Sequence, residues 1–128
     1  MEMENEMSDS SRNSDRFVGL TVRTRDIAAC RRFYEALGLP VEYRDGAPST
    51  AGLMIDLGGI GMAVLPCSPF QPASASPDIT IVVDDFRRRI ENAQYVLSPM
   101  NEPTAPIGRN VMFRDPDGRL VKLTDESR

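Results

Sequence analysis

An α+β fold built from two copies of a βαβββ unit is what this 128-residue sequence predicts, and three observations carry that expectation. The first is an internal repeat. Asp56-Leu-Gly-Gly-Ile-Gly-Met-Ala63 and Asp115-Pro-Asp-Gly-Arg-Leu-Val-Lys122 share Asp at their first position and Gly at their fourth, then alternate apolar residues. The same offset pairs Leu20-Thr-Val22 and Asp26-Ile27 with Ile79-Thr-Ile81 and Asp85-Phe86. A repeat of this kind marks duplicated supersecondary units. The second observation is a switch, within each copy, from a period of two to a helical period and back. The third is length, which suits one domain with a single core.

The elements follow in order. Val18, Leu20 and Val22 alternate with Gly19, Thr21 and Arg23, as a strand with one apolar face requires. Asp26 stands at an N-cap position before Ile27, Cys30, Tyr34 and Leu37 at helical spacing, and Gly38 stops the helix. Residues 40–44, 53–57 and 61–65 then read as short strands separated by Asp45-Gly46 and Gly58-Gly59 turns. In the second copy residues 79–83 are a strand and Asp85 caps a helix over 86–93. Residues 95–97, 111–114 and 119–123 complete the set. The units span about 16–66 and 78–124, with a Pro- and Ser-rich linker at 67–77 and a long loop at 101–110.

Residues 1–15 carry five acids and one base with no apolar period, and are read as a disordered tail preceding a domain of 16–128. Removing them from nineteen acids and fifteen bases leaves fourteen of each sign, so the formal charge of −4 belongs to the tail. A neutral domain lacks the basic excess that drives nucleic-acid affinity. The arginines at 31–32 and 87–89 lie on polar helix faces beside Glu35, Asp84, Asp85 and Glu91, where they read as a solvated surface. No segment is long and apolar enough for a membrane span, and the two cysteines, Cys30 and Cys67, fit a reducing cytoplasmic compartment. With no histidine in the chain, Ser-His-Asp and Cys-His arrangements are impossible. Gly58-Gly-Ile-Gly61 joins strand to strand and so lacks the helix N-terminus that a dinucleotide fingerprint needs.

Phe33-Tyr-Glu-Ala-Leu-Gly-Leu39, the paired units and Phe113-Arg-Asp-Pro-Asp-Gly-Arg-Leu-Val-Lys-Leu123 resemble the vicinal oxygen chelate superfamily, which includes glyoxalase I, bleomycin-resistance proteins and extradiol dioxygenases. The resemblance covers roughly residues 16–124. It implies a cupped mixed sheet with the helices on its outer face, and metal ligands on the first and last strands of each unit. Those positions fall on Gly19, Ala63, Asp78 and Lys122, where His, Gln or Glu is usual in the family. Only Asp78 could ligate. Moving the first position to Phe17 restores no ligand. Lys122, the only lysine, puts an ammonium where the family usually has a Glu, and a unit charge pair at about 4 Å and an effective dielectric near 20 is worth roughly 4 kcal/mol.

The resemblance therefore implies a metal-free, cofactor-free binding protein of the glyoxalase/bleomycin-resistance type that sequesters a drug or metabolite as a homodimer. The alternative is an enzyme of the same superfamily: a metal-independent isomerase, cyclase or lyase, or a metal enzyme with displaced ligands. Candidate ligand-contacting residues are Phe17, Gly19, Arg23, Tyr43, Met54, Met62, Asp78, Arg109 and Lys122. Arg23 and Arg109 suit a carboxylate or phosphate, or else the surface. The aromatic and methionine residues suit an apolar wall, or else ordinary core. Lys122 either receives an anionic or carbonyl group, acts as a nucleophile, or pairs with Asp78.

Overall fold

The computed structural model describes residues 15, 19–45, 51–100 and 110–125. The elements are β1 (Gly19–Thr24), α1 (Ile27–Ala36), β2 (Val41–Arg44), β3 (Gly52–Asp56), β4 (Gly61–Pro66), β5 (Ile79–Val83), α2 (Phe86–Ala93), β6 (Asn110–Arg114) and β7 (Leu120–Asp125). They form an α+β fold with two mixed sheets, ordered β1-β4-β3-β2 and β5-β7-β6. In each, the unit's first strand pairs in parallel with its last, β1 with β4 and β5 with β7, and the remaining neighbours are antiparallel. The mixed sheet expected from sequence is present as one sheet per unit, with no hydrogen-bonded strand pair joining the two among the described residues.

Period-two patterning decides which face each sheet buries. Val22, Leu53, Ile55, Met62 and Val64 of the first sheet join Ile79, Ile81, Val83, Val111, Phe113, Val121 and Leu123 of the second in one hydrophobic cluster with both helices. From α1 it receives Cys30, Phe33 and Tyr34, and from α2 Phe86, Ile90 and Ala93. The intervening residues, including Thr21, Arg23, Met54, Ala63, Thr80, Met112 and Lys122, are left half-buried or exposed on the helix-free faces.

The two helices start differently. Asp26 is extended and its carboxylate accepts a bond from Ala29 N at 3.0 Å, the N-cap expected from sequence. Asp85 holds the equivalent place in α2 at φ 53° with no side-chain cap; its carboxylate turns to Arg88 instead. At the other end of α1, Gly38 has φ 83°, a conformation that glycine adopts freely.

One expected element does not form. Residues 95–97, read as a strand, continue the turn that closes α2, because Tyr95 N, Val96 N and Leu97 N donate to Asn92 O, Ala93 O and Ala93 O. Those amides are consumed by the helix end and cannot enter a ladder. Tyr95 and Val96 are consequently left exposed.

Candidate functional site

Two places concentrate chemistry: a polar cluster buried between the units, and the helix-free sheet faces. The cluster starts from the Asp115–Gly118 turn. Asp115 Oδ1 accepts from Asp117 N and Arg119 N, both at 2.9 Å, which folds the turn onto its own carboxylate. Its Oδ2 accepts from Tyr34 Oη and Arg119 Nη1, both at 2.6 Å. Arg119 is fully buried and also donates from Nε to Ser76 O and from Nη2 to Arg23 O. Asp117 accepts from Arg25 N at 3.1 Å and lies 3.6 Å from Cys30 Sγ, which also contacts Thr24 Oγ1. The first unit supplies Thr24, Arg25, Cys30 and Tyr34, and the second supplies the turn.

Cys30, Asp115 and Asp117 have ligand atoms close enough to suggest a metal centre. The electrostatics argue against it. Arg119 Nη1 stands 2.6 Å from one carboxylate and 3.7 Å from the other, so the position a dication would take already holds a cation. Burial opposes the Arg119 charge, but Asp115, Tyr34 and Asp117 outweigh it and hold the guanidinium above its ordinary value. Burial, reinforced by Asp115, pushes the Tyr34 phenol far up. Nothing in this cluster is left to react; it joins the units.

Burial also pushes the Cys30 thiol up to about 11, with Asp115 and Asp117 adding to the rise and the Thr24 hydrogen bond opposing it. The thiolate is the reactive form, so Cys30 is inert as well as buried. With Cys67 exposed, the native protein should give one fast thiol with Ellman's reagent at pH 8 and a second only on unfolding. Two fast thiols would contradict this packing. The sign for stability follows: a folded thiol that keeps its proton longer than the ordinary 9.0 stabilises below about pH 9, and that contribution is lost between about 9 and about 11.

On the helix-free faces the repeat becomes geometry. Thr80, Lys122 and Met112 stand side by side across β5, β7 and β6. Thr21, Ala63 and Met54 form the corresponding row across β1, β4 and β3. Each sheet thus carries a Thr–X–Met row, with X cationic in one and a methyl group in the other.

The candidate residues from sequence divide accordingly. Gly19, Arg23, Met54 and Lys122 lie on these faces, with Asp78 exposed just before β5. Arg23 Nη1 is bonded to Pro66 O at 3.2 Å. Met62, paired with Leu20 and Ile55, is 0% exposed on the opposite, helix-packed side and is core. Tyr43 is in register with Leu53 and borders an open groove against Ile27, Ala28 and Arg31 of α1. Both belong to the helix-packed side, opposite the face that carries Ala63 and Met54. Phe17 and Arg109 lie outside the described residues. The ion pair considered for Asp78 and Lys122 is not made: among the described residues no carboxylate pairs with Lys122.

A divalent metal does not fit the positions that the resemblance assigns to it. Gly19 and Ala63 have no donor, Asp78 is exposed and Lys122 is a cation. Backbone packing adds a steric reason, because a Cβ on Gly19 would sit 2.4 Å from Gly61 O. No ligating side chain enters there without moving β4.

No protein-family model and no curated protein matches the sequence. Solved structures do match. A protein from the mobile metagenome of V. pseudocholerae aligns at a TM-score of 0.68 and 20% identity over 89% of this chain and 96% of its own. TnmS3, described as an antibiotic binding protein from Streptomyces sp. CB03234, aligns at 0.67 and 21% over 88% and 97%. A member of the glyoxalase/bleomycin resistance protein/dioxygenase superfamily from Sphaerobacter thermophilus aligns at 0.66 and 16% over 88% and 98%. The agreement spans nearly the whole of both partners in each pair, and the chain has the fold of the glyoxalase/bleomycin resistance protein/dioxygenase superfamily, the vicinal oxygen chelate fold.

Proposed function

We propose that this protein binds a small molecule on its helix-free sheet faces without a metal and without transforming it, as a sequestering protein of the glyoxalase/bleomycin-resistance type. The observation that carries the reading is the content of the four expected ligand positions: Gly19, Ala63, Asp78 and Lys122. They supply a glycine with no side chain, a methyl group, one exposed carboxylate and one cation in place of a coordination sphere, beside the half-buried Met54 and Met112. The antibiotic-binding activity named for TnmS3 is compatible with this use of the fold. As a homodimer, two copies would supply one sheet face each to a shared crevice. Two unpaired cysteines support a reducing cytoplasmic location, and among the described residues no helix is long and apolar enough to cross a membrane.

Native mass spectrometry on protein purified without chelators tests all parts together. The expected spectrum shows two chains and a retained or added small molecule leaving at its original mass, with no divalent ion in stoichiometric amount. A stoichiometric ion, or a bound compound released as a product of different mass, would overturn the reading in favour of an enzyme.

A further inference from the structure

The geometry points to an anionic ligand: a small molecule with a carboxylate at one end, received by Lys122, and an apolar body. This rests on the proposed binding face and names the chemical class that face selects. Lys122 occupies the central strand of the β5-β7-β6 sheet, half-buried between Thr80 and Met112. Its two chain neighbours, Val121 and Leu123, are fully buried on the other side, so strand alternation commits the lysine to the helix-free face.

Other charged groups lie on these faces. Glu42 and Arg44 pair with each other, Arg23 bonds Pro66 O and Arg114 bonds Gly118 O. Among the described residues the Lys122 side chain has neither a carboxylate nor a hydrogen-bond partner. Asp78 is the acid nearest in register, since it precedes Ile79 and Thr80 is directly opposite Lys122; it is exposed and does not pair. A partly desolvated ammonium without a counter-charge favours an incoming anion over a neutral group of the same shape.

The Thr80 hydroxyl alongside can donate a hydrogen bond to a second oxygen of that anion. The corresponding row on the other sheet has Ala63 in place of the lysine, flanked by Thr21 and Met54. That row carries no charge and suits the apolar end. Between these two rows the difference lies at the central position, and the ligand's polarity follows it.

Because Lys122 is the only lysine, protein labelled with 15N-lysine gives a single backbone amide signal at the site. The probes are 2-naphthoate and 2-naphthamide, equal in shape and different in charge. Naphthoate is expected to shift the Lys122 signal and to bind at least about tenfold more tightly than naphthamide by calorimetry. Lys122→Met should abolish that preference and Lys122→Arg should keep it. Equal affinity for both probes, with the signal shifted by each, would overturn the anion assignment and leave the binding face standing. A signal that neither probe moves would overturn both. A preference for naphthoate that survives in Lys122→Met would place the anion elsewhere and overturn the role of Lys122.

Discussion

Replacing Asp115 by Asn is expected to destabilise the fold by about 3–5 kcal/mol, the cost of leaving a buried charge without its partner. Asp115 and Arg119 side chains are both 0% exposed and 2.6 Å apart. The carboxylate accepts four hydrogen bonds, two from backbone amides and two from Tyr34 and Arg119. An Asn can keep the backbone pair through its oxygen, but its NH2 then faces two donors. Arg119 would be left with only the more distant Asp117, at 3.7 Å. Urea unfolding followed by circular dichroism measures the effect as a lower midpoint at unchanged slope. Arg119→Met should cost a similar amount, and the two changes together should cost less than their sum, since each removes the other's reason for being charged. A loss under about 1 kcal/mol for either single change would show that the cluster is hydrated and does not hold the units together.

Phe113→Ala is the second large effect, about 3–5 kcal/mol for an aromatic removed from a core that cannot collapse around the gap. Phe113 is 1% exposed on the helix-packed side of β6 and meets Phe33 of α1 edge to face, with ring centroids 6.4 Å apart. That contact joins the first unit's helix to the second unit's sheet. Its neighbour Met112 points the other way, to the helix-free face, and Met112→Ala should cost about 1 kcal/mol or less while weakening ligand uptake. The pair separates stability from binding along one strand: Phe113→Ala lowers the unfolding midpoint and leaves binding by the folded fraction unchanged. Equal stability losses at 112 and 113 would mean that the assignment of faces is wrong.

Much of the fold was legible because it is written in local patterns. The offset between Asp56 and Asp115 reappears as two Asp-capped turns: Asp56 Oδ1 accepts from Gly58 N and Gly59 N, and Asp115 Oδ1 from Asp117 N and Arg119 N. Asp26 and Gly38 delimit α1 as their chemistry requires. The apolar triplet at 95–97 misled because composition does not reveal whether amides go to a ladder or to the preceding helix end. Met62 and Tyr43, which the sequence left open between a ligand wall and ordinary core, needed the register to place them on the helix-packed side. A strand's two faces differ by one residue of phase, and Gly61, Met62 and Ala63 are all small or apolar enough to sit on either.

The polar cluster was not legible at all. Tyr34 and Asp115 stand 81 residues apart, and nothing in either segment announces the other. Arg119 reads in sequence as the polar start of a strand, yet it is fully buried. The sequence by itself determined the duplicated units and the single lysine, since these follow from residue identity and spacing. Only the tertiary structure decided that the units are locked by Asp115 and Arg119 and that Lys122 does not pair with Asp78. Pairing depends on distances across strands and between units, and a carboxylate finds whichever donors the packed chain brings within reach.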